Sequence, residues 1–597
     1  MQRPYTQVLT SRLFRTSTYA SAWLILAATL VGCSGPADGP IVQIAAGQLQ
    51  GVVDDDIHVF RNVPYAKPPI GELRWQRPQP VEPWKTVRQA RDDGPICEQP
   101  IGDDNGNGQF LTALIEGADY STFGRWALTT VAGLIDEPPM SEDCLTLTIR
   151  SPDLQPAKPL PVMLWIHGGG HRFGYGNQGF SDSNALPKRG VVQVNINYRL
   201  GIWGYFAHPE LVAEDPDGST GNYGLLDQIA ALRWVRQNIA RFGGDPHNVT
   251  IFGESAGGHS VGQLLASPLS RGLVQGAIAQ SGTGTYQFQH VHHAAEGPAG
   301  VVAGQKFAKL AGITDLPQLP GLRALTVEQI RQLETVDERL AMTYHPQVDG
   351  FVLPRSVAEI FAHQQQAQVP YMIGSNADEG TVLGLMIPIA LDGSAPLVPD
   401  TVAKWDEVLD QEIPEIADHY RVEQTGDISK AHHRLIGDAM FGRHAYQTAI
   451  THASAGNSTY LYFFERASAA ANQTIGATHA LDLQPVFGSY FPFWPSDARD
   501  EVLTDEMGHY WTNFAKTKDP NKARLDQAED SNTQHQDKVH WSRFDPQLPQ
   551  ELAFGHDLTQ MRPVARREIY DGLAAQQQRR IERAKAARMR DDASAAR

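Results

Sequence analysis

Gly253-Glu254-Ser255-Ala256-Gly257-Gly258 follows directly on Asn248-Val249-Thr250-Ile251-Phe252. A short β-branched run enters a tight turn, and small residues leave it. In this setting the G-x-S-x-G pattern predicts a sharp strand-to-helix turn with a serine at its apex. Such a turn strains the serine backbone and holds its hydroxyl clear of the sheet. Gly253 and Gly257 are required because a Cβ at either place would clash across the turn. The bare pattern also occurs as an ordinary small-residue turn, so its meaning depends on what surrounds it. Ser255 is the candidate nucleophile.

A serine hydroxyl is a weak nucleophile and needs a base and a place for the developing oxyanion. Upstream, Pro161-Val162-Met163-Leu164-Trp165-Ile166 runs into His167-Gly168-Gly169-Gly170. An apolar strand ending in His-Gly-Gly-Gly can turn backbone N–H groups toward a carbonyl oxygen, joined by the N–H of the residue after the nucleophile, Ala256. The turn with Ser255 lies about 85 positions downstream, the spacing that a series of βα units requires. The same loop could also be merely flexible. In folds of this kind the acid and then the histidine follow the nucleophile along the chain. Glu379, at the end of Pro370-Tyr371-Met372-Ile373-Gly374-Ser375-Asn376-Ala377-Asp378-Glu379-Gly380, is the candidate acid. His479, in Ile475-Gly476-Ala477-Thr478-His479, is the candidate base, but the chain has 21 histidines and position alone does not select it.

Across nearly the whole chain these residues resemble the type-B carboxylesterases, the family of cholinesterases, bacterial para-nitrobenzyl esterases and some fungal lipases. Arg61-Asn62-Val63-Pro64-Tyr65-Ala66-Lys67-Pro68-Pro69-Ile70-Gly71-Glu72-Leu73-Arg74-Trp75 is similar to its N-terminal signature, and Ser141-Glu142-Asp143-Cys144-Leu145 to its second. Asn197-Tyr198-Arg199-Leu200-Gly201 and Gly221-Asn222-Tyr223-Gly224-Leu225-Leu226-Asp227-Gln228 follow in order, and Trp511 to Lys516 with Asp519-Pro520-Asn521 resemble its C-terminal marker.

The resemblance implies a triad of Ser255, Glu379 (rather than Asp378) and His479, which leads to Val486-Phe487-Gly488. It implies oxyanion donors at Gly169, Gly170 and Ala256, and a disulfide between Cys97 and Cys144 closing a loop over the site. It also implies an α/β-hydrolase fold with no metal or organic cofactor. Two departures stand out. His171 occupies a place where an aromatic or small residue commonly follows the glycines, and Ala480 replaces the usual glycine after the histidine. The implied chemistry is acyl transfer: His479 accepts the Ser255 proton, Glu379 orients the imidazole, and water releases the acyl group. A base that must be neutral to act predicts activity rising through a neutral-range pKa.

Division by typical domain size suggests several domains, but the spread of the family-like motifs from about position 50 to 521 implies one large α/β unit instead. The 597 residues carry 41% hydrophobic side chains, enough for a sizeable core. Apolar strands alternate with helix-like stretches such as Leu225 to Phe242, predicting a large, mostly parallel central sheet flanked by helices. Asp215-Pro216-Asp217-Gly218 and Gly243-Gly244-Asp245-Pro246 read as turns. The net charge of −17 argues against nucleic-acid binding, which needs a basic face. Residues 573–597 read as a charged tail, helical or unstructured, with the catalytic domain spanning 33–572.

Residues 1–32 read as a targeting segment. Arg3, Arg12 and Arg15 precede an apolar run from Ala22 to Val31, too short for a typical membrane span. Leu30-Val31-Gly32-Cys33 resembles the bacterial lipobox, which implies cleavage before Cys33, its acylation and anchoring to the cell envelope. Ser34 after the cysteine points by the same resemblance to the outer membrane. An exported protein can keep a disulfide.

Substrate choice is expected to lie in the loop from Glu98 to Asp143, whose Phe110 to Ile115 and Phe123 to Leu128 stretches are apolar enough for a lid. Leu134 stands where cholinesterases place their choline-binding tryptophan, which disfavours choline esters. Asp103-Asp104-Asn105-Gly106-Asn107-Gly108 begins like a calcium loop, but Leu114 occupies the place of the bidentate glutamate. His290-Val291-His292-His293 has no indicated zinc partner. Three functions are therefore compared: a carboxylesterase on small to medium esters, aromatic ones included; a lipase or polyester-type hydrolase with a long lid; and a catalytically dead cholinesterase-like binding protein. The complete triad and oxyanion loop argue against the last.

Overall fold

The computed structural model describes residues 39–100, 112, 114, 115, 117, 138–285, 290–292, 299–337, 340, 342–386, 401–470, 473–491, 495–522 and 538–595. Fourteen strands lie in this range: β1 (Ile41–Gln43), β2 (Gln48–Gln50), β3 (Val52–Asp54), β4 (Ile57–Pro64), β5 (Arg88–Gln89), β6 (Thr146–Ser151), β7 (Leu160–Ile166), β8 (Val192–Ile196), β9 (Gly244–Glu254), β10 (Gly276–Gln280), β11 (Tyr371–Asn376), β12 (Thr459–Phe464), β13 (Gln550–Phe554) and β14 (Thr559–Pro563). Three of them, β1, β2 and β5, form a small sheet; the other eleven form one large sheet in the order β14-β13-β12-β11-β10-β9-β7-β8-β6-β4-β3. From β8 through β7, β9, β10, β11 and β12 to β13, every pairing is parallel. The edges are antiparallel, so the sheet is mixed, with the expected parallel centre.

The central strands are buried on both faces, which is why they read as unbroken apolar runs rather than as alternating patterns. Alternation reappears in the packing. Val162, Leu164 and Ile166 of β7 join one hydrophobic cluster, while Met163 and Trp165 join the other. The first cluster is covered by the helix Tyr223–Asn238, through Leu225, Ile229, Leu232 and Val235. The second is covered by the helix Ala498–Thr517, through Leu503, Met507, Trp511 and Phe514.

The family-like signatures are cross-braces of this body. Arg74 clasps Glu142 through two hydrogen bonds of 2.7 and 2.6 Å and also donates to the Leu325 carbonyl. Arg199 clasps the fully buried Asp227 at 2.8 Å through Nε and Nη2. Asn521 donates to the Trp541 carbonyl and accepts the Trp541 N–H.

The helix read from Leu225 to Phe242 runs from Tyr223 to Asn238 and tightens into a 3₁₀ turn over Ile239–Phe242. Asp215 to Gly218 is a turn, closed by Gly218 N–H to Asp215 C=O. The second expected turn is shorter than read. The chain reverses at Gly243, where φ is 81°, and Gly244, Asp245 and Pro246 already belong to β9.

The sulfurs of Cys97 and Cys144 are placed as a disulfide. Within the loop they close, residues 98–100, 112, 114, 115, 117 and 138–143 are described; the Asp103 to Gly108 stretch, Leu134 and the rest of the expected lid lie outside the described residues. Leu114 and Ile115 are buried, and the Gly117 carbonyl accepts from Thr474 N–H, on the segment that leads to His479. Residues 1–32 and Cys33 also lie outside the described residues. At the other end one helix, Arg567–Ala595, runs through the expected boundary after residue 572. Arg579 pairs there with Glu415, and Arg580 with Glu412. Among the described residues no helix is long and apolar enough to cross a membrane.

Candidate active site

Parallel strands deliver their following loops to one edge of the sheet. The register aligns Ile166 with Gly253, Gly253 with Ala279 and Gln280 with Gly374, so the segments after β7, β9, β10 and β11 emerge side by side. They carry the glycine loop, Ser255, Ser281 and Glu379.

Ser255 sits between β9 and the helix Ala256–Ala266 with φ 54° and ψ −120°, the strained apex that the sequence predicted. The flanking glycines have no room for a side chain. A Cβ on Gly253 would lie 2.5 Å from the Gly257 carbonyl carbon, and one on Gly257 would lie 1.9 Å from the Ile166 oxygen. Ser255 is part-exposed, whereas Glu379 and His479 are buried.

The glycine loop runs alongside this apex: a Cβ on Gly168 would stand 3.1 Å from Ser255 Cβ. Gly169 and Gly170 have φ of 95° and 62°, conformations that side chains strongly disfavour. Space around them differs. A Cβ on Gly169 would meet the Phe173 oxygen at 2.1 Å, while one on Gly170 would face open space. Among the described residues the N–H groups of Gly169, Gly170 and Ala256 donate to no protein acceptor, which leaves them available to a ligand.

Glu379 and His479 meet as read. His479 Nδ1 lies 2.6 Å from Glu379 Oε2, while Glu379 Oε1 accepts from Ser281 Oγ at 2.5 Å and from the Asn376 N–H at 2.7 Å. The neighbouring Asp378 has another task. Its Oδ2 accepts the Ala477 N–H at 2.9 Å and so braces the loop that carries His479. Ala480, in the place of the usual glycine, has φ 64° and therefore holds a backbone conformation that glycine would take more easily.

Two buried carboxylates escaped the sequence reading. Glu254 Oε1 lies 3.1 Å from His479 Nε2, and neither atom has a hydrogen-bond partner, so the structure brings Glu379 and His479 together but shows no hydrogen bond from His479 to Ser255. Asp482 accepts from Gln280 Nε2 and from the Tyr462 hydroxyl, both at 2.8 Å, behind the histidine. Phe441 covers the ring, centroid to centroid 4.7 Å. Burial disfavours the His479 imidazolium, but Glu254, Glu379 and Asp482 together outweigh it and raise the group to about 9. Burial pushes Glu254 up as well, to about 8. The expected neutral-range pKa of the base is thus displaced upward, because three carboxylates crowd one imidazole. A charged residue closing an otherwise apolar strand was the available signal for Glu254.

Beside the glycine loop the two histidines are neutral, while the Glu254 carboxyl abuts it, Oε2 lying 2.8 Å from where a Cβ on Gly168 would stand. Burial pushes His167 down to about 4 and holds His171 well below the ordinary histidine range, with His259, His345 and His167 acting in the same direction on His171. Among the described residues no group of three His, Cys, Asp or Glu side chains is arranged to hold a metal ion.

The sequence profile of the carboxylesterase family matches residues 38–571. Carboxylesterase 1D of Mus musculus is 33% identical over 566 residues, covering 88% of this chain and 91% of its own. The liver carboxylesterase of Sus scrofa is 34% identical over 532 residues, covering 83% and 88%. Fumonisin B1 esterase of Sphingopyxis macrogoltabida is 31% identical over 550 residues, covering 88% and 89%. Among solved structures, a PNB esterase superposes with a TM-score of 0.69 at 27% identity, covering 89% of this chain and 99% of its own. A Geobacillus stearothermophilus carboxylesterase superposes with the same score and coverage at 28% identity.

Proposed function

The chain belongs to the carboxylesterase family and is a carboxylic-ester hydrolase, and we propose that it acts through Ser255, His479 and Glu379 by way of an acyl-enzyme. The observation that carries this reading is the Glu379–His479 hydrogen bond, with the Nε2 of the same ring left without a hydrogen-bond partner, on the sheet edge that also carries a strained serine and unbonded backbone amides. His479 takes the Ser255 proton as Oγ attacks the ester carbonyl. Gly169, Gly170 and Ala256 donate to the resulting oxyanion, and each such donor is worth about 3 kcal/mol in related sites. The imidazolium returns its proton to the departing alcohol. Water then attacks the acyl-serine, giving its proton to His479, and the acid leaves as Ser255 is restored. Glu379 keeps the imidazole in its working tautomer and stabilises its charged form.

The substrates are small to medium esters of uncharged alcohols, aromatic ones included. Stopped-flow mixing with a p-nitrophenyl ester tests the scheme. It should show a burst approaching one nitrophenol per protein chain when deacylation is made slow with a bulky acyl group. A linear trace with such an acyl group, at any enzyme concentration, would speak for direct hydrolysis without an acyl-enzyme.

The same reading extends to the N-terminus, where the lipobox-like sequence supports Cys33 as an acylated first residue anchoring the enzyme to the cell envelope. Intact-mass analysis of the native protein should find a chain beginning at Cys33 and carrying acyl groups. An unmodified N-terminus elsewhere would refute the anchor.

A further inference from the structure

The three proposed oxyanion donors come from two separate pieces of chain. Gly169 and Gly170 lie in the loop after β7, and Ala256 opens the helix after β9. An oxyanion held by both pieces is stabilised fully only when their relative position is fixed to a fraction of an ångström. The side chain that joins them is His171, one of the two departures from the family pattern.

We propose that His171 is a positioning residue that locks the two halves of the oxyanion site together, and that it therefore governs turnover rather than substrate binding. The inference rests on the oxyanion reading above.

Four observations carry it. His171 follows Gly170 directly and is itself in the left-handed region, with φ 59°. Its carbonyl accepts the Gly201 N–H at 2.7 Å, which pins the loop to the segment after β8. Its ring reaches the other half of the site: Nε2 lies 3.1 Å from Ser260 Oγ, one helical turn beyond Ala256. Ser260 Oγ also accepts from Gln228 Nε2 at 3.1 Å, so the helix Tyr223–Asn238 joins the same knot. Tyr205 packs edge-on against the imidazole at 5.5 Å. His171, Ser260 and Gln228 are all buried, where a hydrogen bond is not diluted by water. The neutral ring adds no charge beside the oxyanion. An aromatic residue at this position could fill the space against Tyr205, yet it would make no bond to Ser260.

The test uses His171→Phe, which keeps a ring against Tyr205, together with Ser260→Ala and the double variant. All are assayed on p-nitrophenyl acetate and with a trifluoromethyl ketone, which forms a tetrahedral adduct on the serine. His171→Phe should lower kcat at least tenfold with KM within about twofold, and should weaken the ketone by the same factor as kcat. Ser260→Ala should reproduce part of this loss, and the double variant should be no worse than His171→Phe, because both changes cut one link. His171→Gln, which can still reach Ser260, should recover most of the turnover. Retention of kcat within twofold in His171→Phe, losses that multiply in the double variant, or a loss expressed in KM would each overturn the inference. If His171→Phe fails to fold, Ser260→Ala and His171→Gln decide by the same criteria. Ser255→Ala is measured in parallel. If it remained active, the oxyanion reading itself would fall; if it is inactive while His171→Phe is normal, only the role of His171 falls.

Discussion

The two loops that flank Ser255 are built from opposite materials. On the donor side, residues 167–171 present main chain: glycines at positive φ, unbonded amides and two histidines that burial keeps neutral. On the base side, residues 475–482 are held by side chains, most of them acidic. Asp378 accepts the Ala477 N–H, Asn376 donates to the Thr478 carbonyl, and Thr381 donates to the Ile475 carbonyl. Glu379 and Glu254 contact the imidazole itself, with Asp482 close behind. The contrast follows the charges that the reaction creates. An oxyanion is best met by fixed dipoles that do not titrate, and an imidazolium by buried anions. Damage to the donor side should therefore lower turnover equally at every pH. Damage to the base side should also move the pH profile.

The largest effect is expected on the base side. Glu379→Gln removes the charge on Nδ1 and should lower kcat by a factor of about a hundred to ten thousand with little change in KM. Asp378→Asn, one residue away, should cost less than tenfold in kcat and act mainly on thermal stability, because it only braces the loop. The reverse ranking would break the assignment of the acid.

On the donor side, Gly169→Ala forces a Cβ against the Phe173 oxygen and a side chain into φ 95°. It should lower kcat at least tenfold while the pH at half-maximal kcat/KM stays where it is in the wild type. A displaced pH profile in this variant would blur the contrast between the two sides.

Glu254→Gln should sharpen it. The glutamate favours protonated His479, and the base works only when neutral, so activity rises as pH climbs through the raised His479 pKa. Removing the carboxylate lowers that pKa, and the rising limb of kcat/KM should shift to lower pH by about one unit. An unmoved limb, or a shift to higher pH, would show that Glu254 does not set the base.

The smallest effect concerns Ala480. Its φ of 64° suits glycine better than alanine, and Ala480→Gly should raise stability by up to about 1 kcal/mol in urea unfolding with kcat unchanged. A clear destabilisation would mean that the methyl group packs more than the backbone strains.

The two sides were also unequally legible in the sequence. The elbow and the glycine loop are local patterns: a strand, then glycines at fixed spacing, then a helix. Their conformations follow from sterics within a few residues, and Ser255 with the following Ala256 could be read from them directly, whereas Gly169 and Gly170 were named as donors by resemblance. The base side is assembled from distant parts. Glu254 and His479 are 225 positions apart and touch only because the sheet brings β9 beside the loop after β12. Among 21 histidines, His479 was selected by resemblance rather than by its own surroundings. Glu254 and Asp482 were not singled out at all: the charge that closes β9 is the one local signal for Glu254, and it does not name a remote imidazole as its neighbour. The turn at Gly243 was overextended because Gly244 and Pro246 resemble turn residues yet begin β9, where a strand end tolerates proline.

The proposed mechanism needs both sides to act on one atom, Ser255 Oγ. A fluorophosphonate probe reacts there only if the base activates the hydroxyl and the amides receive the phosphoryl oxygen. After labelling and digestion, mass spectrometry should find a single adduct on the peptide that carries Ser255, and Glu379→Gln and Gly169→Ala should both slow its formation. An adduct on another residue, or hydrolysis that continues in the fully labelled enzyme, would contradict the account.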